Sequence, residues 1–141
     1  YFAPPWRVVE GGLLDLGPHV LDSLDAALGT IVSIKATGDP QRLVLLECQH
    51  DNGRISQAAL SATTQQAGGL IVEVHGLQGR LSLDVSAFTP EQSAAEFATA
   101  QRTILTEFTA AVRAGVSHQL DVHRGVHLQR LIDDASRQLA S

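Results

Sequence analysis

Three side chains suited to proton transfer recur at helical spacing near the start of the sequence. Asp15, His19 and Asp22 stand at positions i, i+4 and i+7. At about 100° per residue, these positions fall within an arc of about 60° on one helix face. Imidazole exchanges protons readily near neutral pH, and adjacent carboxylates orient the ring. Such a face can bind a hydroxyl group and take its proton, and a solvated helix face that contains one histidine has the same spacing.

Apolar residues at helical spacing predict the helix that must position these three side chains. They lie on the side of the helix opposite the polar face and are Leu13, Leu16, Val20, Leu24 and Leu28. Gly29 follows, as is typical of the position after a helix ends. Before the helix, Pro4-Pro5 predicts extended backbone and Gly11-Gly12 predicts a flexible turn. Within the helix, Pro18 predicts a kink or a restart, because proline removes one backbone donor.

Five strand-like segments follow this helix. They are rich in β-branched and aliphatic side chains and span residues 31–37, 43–50, 55–65, 70–75 and 80–85. Asn52-Gly53 predicts a tight hairpin, since both residues tolerate a positive φ. In the last segment Leu81, Leu83 and Val85 alternate with polar residues, which is typical of a half-buried antiparallel strand.

Two further helices are predicted after the strands. The first begins at a capping box, Thr89-Pro90-Glu91-Gln92, and ends at Gly115. We expect it to bury an apolar stripe that consists of Phe97, Ile104, Leu105, Phe108, Ala111 and Val112. Asp121 is placed to cap the last helix. The apolar face of that helix consists of Leu128, Leu131, Ile132, Ala135 and Leu139.

The order helix, five strands, helix, helix predicts the α+β class. We expect one open, mainly antiparallel β-sheet with the helices packed on one face. The uncovered face would carry small, polar and aliphatic side chains, such as Ala58, Ala62 and Thr64 or the residues that alternate with them. A face of this mixed character is a candidate association surface.

Length and composition limit the classes of function. The chain has 141 residues, which suits one domain, and 44% hydrophobic and 18% charged residues are typical of a globular protein. Fifteen acidic against ten basic side chains give a net charge of −5, which disfavours nucleic-acid binding. No apolar run reaches the length of about 20 residues that spans a membrane. The one cysteine, Cys48, excludes an internal disulfide and suits the reducing cytoplasm.

Longer motifs resemble the glucose–fructose oxidoreductase/inositol dehydrogenase/MocA family of NAD(P)-dependent oxidoreductases. Residues 6–22 are similar to the family's W-R…G-G-x-L-x-D-x-G-x-H-x-x-D stretch, and residues 72–84 to its I-x-G-x-x-G-x-L-x-L-D hairpin. A third, weaker match begins at residues 108–115 and continues into the last helix. The three matches occur in the family's order and cover nearly the whole chain.

The resemblance implies roles for named residues. The family's catalytic aspartate and histidine fall on Asp15 and His19, and Asp22 falls on an acidic position that contacts polyol hydroxyls. Trp6 and Arg7 would line the substrate cleft or anchor the entering chain. The substrate would be a sugar, a polyol or a related hydroxy or keto compound, oxidised or reduced by hydride transfer. No metal is expected.

The resemblance also implies that residues 1–141 form a single C-terminal substrate-binding and oligomerisation domain, similar in fold to those of dihydrodipicolinate reductase and glyceraldehyde-3-phosphate dehydrogenase. In the family, an N-terminal Rossmann domain holds NAD or NADP and supplies a catalytic lysine. This chain has no Gly-x-Gly-x-x-Gly, and its single lysine is Lys35. We therefore expect no cofactor in this fragment, no activity from it alone, and a dimer or tetramer through the open sheet face. The alternative is a non-catalytic association module.

Other candidate residues carry weaker signals. His123 and His127 stand at i and i+4, a metal-ligand spacing that a solvated helix face also shows. Cys48 is expected to be a small buried strand residue. We expect the strand to separate or misalign Cys48 and His50, so that they form no nucleophile pair. His118 is placed in a loop, with no partner indicated by the sequence.

Overall fold

The order of elements along the chain is the one that the sequence predicts. The structure, a computed structural model, describes residues 5–61, 63, 69–84 and 89–140, and residues 5–10 by their backbone alone. The elements are α1 (Pro5–Leu28), β1 (Ile31–Asp39), β2 (Leu43–His50), β3 (Ile55–Ser61), β4 (Ile71–Gly76), β5 (Gly79–Asp84), α2 (Pro90–Ala114) and α3 (Val122–Leu139). They divide into two compact units, Tyr1–Gln65 with Val122–Ser141, and Gln66–Asp121. The assignment of the whole chain to a single domain stays a prediction.

The first unit is built on a three-stranded antiparallel sheet in the order β1-β2-β3. Along β2, exposed and buried residues alternate from exposed Leu43 to buried His50. α1 and α3 pack on the buried face of this sheet. The core between these layers consists of Leu13, Leu21, Ile31, Ala36, Val44, Leu46, Cys48, Leu60, Leu131, Ile132 and Ala135. The predicted α+β class is therefore confirmed, and in this unit the helices cover one sheet face.

α1 bends at Gly11. The backbone of Gly11 has φ 72° and ψ −175°, a conformation that only glycine adopts without strain. A Cβ atom at this position would lie 1.9 Å from the carbonyl oxygen of Pro40 in the β1–β2 turn. The predicted restart near Pro18 is wrong, because the backbone of α1 keeps helical φ and ψ angles there, and a kink at Pro18 stays a prediction. The prediction of extended backbone is wrong at Pro5, which is the first residue of α1. Proline is tolerated there because the amide of the first helical residue has no partner within the helix.

The β2–β3 hairpin caps the C-terminal end of α1, where Gly29 leaves the helix with φ 106°. The Leu28 carbonyl oxygen accepts hydrogen bonds from Asn52 Nδ2 at 2.6 Å and Arg54 Nη1 at 3.2 Å. His50 Nδ1 donates to the carbonyl oxygen of Gly29 at 2.6 Å. The predicted hairpin thus satisfies helix carbonyls that have no partner within α1.

α3 packs antiparallel to α1. At one end of the contact, a Cβ atom added to Gly17 would lie 2.7 Å from Ile132 Cδ1, so the two helices approach closely there. At the other end, Arg124 of α3 contacts Asp22 and Asp25 of α1. The predicted apolar face of α3 is confirmed by its buried residues, which are Leu131, Ile132 and Ala135.

The second unit contains the hairpin of β4 and β5 and the helix α2. β4 and β5 form an antiparallel two-stranded sheet of their own. The prediction of one sheet for all five strands is therefore wrong among the described residues. Alternation along a strand indicates which of its faces is apolar, but it does not specify the neighbouring strand. The predicted strand residue Val85, and Ala62 and Thr64, lie outside the described residues.

The ends of α2 are as predicted, but its apolar stripe is not buried. Thr89 Oγ1 accepts from the Gln92 amide at 3.2 Å, and Gln92 Oε1 accepts from the Thr89 amide at 2.8 Å, which completes the capping box. Gly115 ends the helix in the left-handed region. Phe97 and Phe108 are 66% and 65% exposed. Helical spacing shows that one face is apolar, whereas burial requires a second surface packed on that face.

No helix in the described part of the chain combines the length and the apolar character needed to cross a membrane.

Glycine at position 11 is expected to be required for the fold. Gly11→Ala should lower the free energy of unfolding by about 2 kcal/mol or more, because the backbone conformation is strained for alanine and the methyl group meets Pro40. The matched control is Gly125→Ala, in α3, where an added Cβ has nothing within 4 Å. That change should stabilise the protein by up to about 1 kcal/mol. Equal urea midpoints for the two variants would contradict this account of α1.

Candidate functional site

The helix α1 brings together the three side chains that the sequence singles out. Asp15, His19 and Asp22 all follow the bend at Gly11, so their helical spacing is realised in the structure. A rise of about 1.5 Å per residue places His19 about 6 Å along the axis from Asp15. His19 is exposed, and the two carboxylates are half-buried. The face therefore presents an accessible imidazole between two carboxylates that the protein partly covers.

A guanidinium group from the last helix fixes Asp22. Arg124 donates from Nε to Asp22 Oδ1 at 2.8 Å, and its Nη2 lies 2.7 Å from the same oxygen. Nη2 also donates to the backbone carbonyl of Asp22 at 3.2 Å. The Arg124 side chain is 21% exposed and the Asp22 side chain 40%. This carboxylate therefore has a defined orientation while part of it faces solvent.

A buried carboxylate one turn further along α1 is the centre of the polar contacts. The Asp25 side chain is 2% exposed. Its Oδ1 accepts from the Ile31 amide at 2.6 Å and from His127 Nε2 at 3.1 Å. Its Oδ2 accepts from Arg124 Nη1. One carboxylate thus joins the end of α1, the start of β1 and the first turns of α3.

The charges of this cluster stabilise each other. Burial alone would raise the pKa of Asp25, but the hydrogen bonds from Ile31, His127 and Arg124 outweigh it and hold the pKa below its ordinary value of 3.8. Burial alone would lower the pKa of Arg124. The hydrogen bonds and the negative charges of Asp22 and Asp25 outweigh burial, so the pKa of Arg124 is raised above its ordinary value. Both groups are therefore charged at neutral pH.

Asp25 and Arg124 were not predicted as site residues from the sequence. A signal was present, because Asp25 follows the buried Leu21 by four residues and so lies on the apolar side of α1. A carboxylate there requires a buried partner. Its partner is separated by 99 residues, and no local pattern specifies such a pairing. The side chains of Trp6 and Arg7 lie outside the described residues.

The other histidines have structural partners. His127, predicted as half of a metal pair or as a solvated residue, donates to Asp25. Across the described ranges, no group of three or more His, Cys, Asp or Glu side chains is placed to hold a metal ion. His118 also has a partner, since its Nε2 donates to Glu107 Oε2 at 3.0 Å and its Nδ1 accepts from the Leu120 amide.

Cys48 and His50 are both buried on the same face of β2. The expected misalignment is wrong, because residues two apart on a strand point to the same side. The His50 ring is fully occupied, since Nδ1 donates to Gly29 and Nε2 accepts from Ser56 Oγ at 2.9 Å. Burial raises the pKa of the Cys48 thiol, against a smaller opposing effect of its bond with Ser56. The pair is therefore part of the core and not a nucleophilic site.

The stability of the protein should fall in acid through Asp25. Because the folded pKa is below the ordinary value of 3.8, the folded state binds fewer protons, and the stabilisation is complete above that pH. It is lost as the pH falls through 3.8 towards the folded pKa. Asp25→Asn should cost about 3 kcal/mol at neutral pH and much less in acid, as urea unfolding at a series of pH values would show.

The matched control for this change is Asp134→Asn. Asp134 is 51% exposed and pairs with Arg137 on the surface of α3. Its replacement should alter the unfolding free energy by less than about 0.5 kcal/mol at any pH. A cost of Asp25→Asn that stays the same from neutral pH into acid would contradict the assignment of the acid sensitivity to Asp25.

Comparison with known proteins identifies a solved structure whose fold is similar to that of this chain. No protein-family model and no curated protein matches the chain. Among solved structures, the chain is similar to an oxidoreductase from Agrobacterium radiobacter in complex with NAD+, L-tartaric acid and magnesium, with a TM-score of 0.67 and 20% sequence identity. The match covers 99% of this chain and 51% of that chain, so the chain spans about half of its length. At this identity the likeness establishes the fold alone.

Proposed function

We propose that this chain is the substrate-binding part of a longer NAD(P)-dependent oxidoreductase of the glucose–fructose oxidoreductase/inositol dehydrogenase/MocA family. The observation that carries the proposal is the carboxylate–imidazole–carboxylate face formed on α1 by Asp15, His19 and Asp22. The family's motif at these positions supports it. The likeness of fold to an oxidoreductase in complex with NAD+, over about half of that chain, supports it further.

The proposed reaction is the reversible oxidation of a secondary alcohol in a sugar, polyol or hydroxy acid. As the carbinol C–H bond breaks, hydride leaves with its electron pair, and the hydroxyl proton passes to His19, leaving a ketone. Asp22 accepts hydrogen bonds from the substrate's other hydroxyls. Asp15 stabilises positive charge on His19 or on a lysine from another part of the protein.

The proposal assigns no dinucleotide-binding turn to this chain. The sequence lacks the Gly-x-Gly-x-x-Gly turn whose backbone amides bind a pyrophosphate. The proposal therefore assigns NAD or NADP binding to another part of the longer protein, where the nicotinamide would supply the hydride acceptor. The fragment alone would be inactive. Its buried cysteine thiol is in keeping with a cytoplasmic protein.

The outer face of the first sheet is the proposed surface for a homodimer or a tetramer. Leu45 and Leu43 are both 45% exposed and Ile55 is 69% exposed on this sheet. Polar side chains share the face and line a depression of about 460 Å³, among them Lys35, Thr37, Glu47 and Gln57. An apolar surface bordered by polar groups is typical of an interface. If the chain had no catalytic role, association through this face would be its function.

The proposed site predicts a separation of activity from stability. In the full-length protein, His19→Ala should lower kcat by about 10²–10⁴-fold, because a positioned proton-transfer group is lost. Asp15→Asn should also lower kcat, since it keeps the shape of the side chain and removes its charge. His19 is exposed, so its loss should leave the melting temperature nearly unchanged.

Val20→Ala is the control, because Val20 packs against the core beside His19. It should cost about 1–3 kcal/mol of stability with kcat per folded molecule nearly intact. Steady-state kinetics with thermal melts of the three variants test this. A fully active His19→Ala enzyme would leave the solvated helix face as the explanation of the motif.

The proposed interface predicts that Leu45→Glu weakens self-association. Sedimentation velocity at tens of micromolar should show a dimer or tetramer for the unaltered protein and a monomer for the variant, because a desolvated carboxylate is costly in the interface. Val126→Glu places the same charge on an exposed site of α3, 43% exposed, and should not change the assembly. A monomeric unaltered protein would count against the interface.

A further inference from the structure

Arg124 holds the substrate-facing carboxylate through one of its two oxygens. The bond from Nε and the close contact of Nη2 both end on Asp22 Oδ1. Among the residues that the structure describes, Oδ2 of Asp22 receives no hydrogen bond, and the side chain is 40% exposed. Two donors of one planar guanidinium fix the place of Oδ1, and the bond to the backbone carbonyl of Asp22 holds the same guanidinium against α1. Oδ2 is thereby left to accept a hydrogen bond from a hydroxyl donor.

Arg124 is itself held by a carboxylate that the reaction does not use. Nη1 donates to the buried Asp25, and Asp25 is anchored by the Ile31 amide and by His127. The guanidinium thus lies between a buried anion and a half-exposed one. The arrangement connects the rigid junction of α1, β1 and α3 to the face that carries His19.

We infer that Arg124 is a positioning residue for substrate binding, which orients Asp22 to accept a hydrogen bond from a substrate hydroxyl. The inference rests on the proposed function of the α1 face. A purely structural ion pair would need only the Asp25 contact, which is the buried one. The additional bonds to the side chain and the backbone of Asp22 are explained by a requirement to hold that carboxylate in one orientation.

The test is a double-mutant cycle in the full-length protein. The oxidation of myo-inositol, D-glucose and L-tartrate with NAD+ and with NADP+ is measured first, and the best pair is used. Arg124→Gln should raise KM for the oxidised compound roughly tenfold with kcat changed less, since one ordered hydrogen bond is lost. Asp22→Asn should raise KM by a similar factor, and the double variant should show no further rise. Arg124→Lys should keep the charge without restoring KM, because an ammonium group lacks the planar fork.

Leu131→Ala is the matched control, because Leu131 is a buried apolar residue of the same helix, about two turns after Arg124. It should lower the melting temperature and leave KM of the folded enzyme unchanged. If Arg124→Gln lowers the melting temperature but keeps KM, or if its effect on KM adds to that of Asp22→Asn, the positioning role is overturned and the proposed function stands. If the unaltered protein oxidises none of the three compounds with either cofactor, the proposed function and this inference both fall.

Discussion

The carboxylate of Asp25 is the constraint on which the first unit depends. It is a buried charge, so it is tolerable only while all of its partners are in place. Those partners come from β1 and from two positions of α3, far apart in the sequence. Apolar packing can accommodate a small shift of one helix against another, whereas three hydrogen bonds that converge on one carboxylate allow little movement. The interaction thus fixes where α1 ends and how α3 crosses it.

This constraint reaches the candidate site through a short series of contacts. At Gly11, α1 passes close to the backbone of the β1–β2 turn, and at its C-terminal end it is bonded by the β2–β3 hairpin. Between these ends, Asp22 contacts Arg124 of α3, and His19 remains exposed. The scaffold is therefore rigid on one side of the helix, and the face proposed for chemistry is open on the other.

The elements that a local pattern specifies were predictable from the sequence. The capping box at Thr89, the turn that follows β2 and the apolar face of α3 each depend on residues a few positions apart. The errors arise where the outcome depends on distant surfaces. The stripe of α2 was expected to be buried, and the pairing of five strands in one sheet was expected from the Asn52-Gly53 hairpin and from the alternation along residues 81–85. The turn at Gly11 was predicted from its paired glycines. Its close approach to Pro40, and the contact of Arg124 with Asp25, involve distant residues that no spacing rule connects.

If the α1 face binds the alcohol in a hydride-transfer reaction, a hydrogen on the carbinol carbon must pass directly to the nicotinamide. The full-length protein would be incubated with an oxidised nicotinamide cofactor and with polyols or hydroxy acids that carry deuterium on the carbinol carbon. Mass spectrometry of the cofactor then reports whether that deuterium has been transferred. We expect direct transfer of deuterium to the nicotinamide from at least one of these compounds. A reduced cofactor without deuterium, or no reduction with any of them, would contradict it.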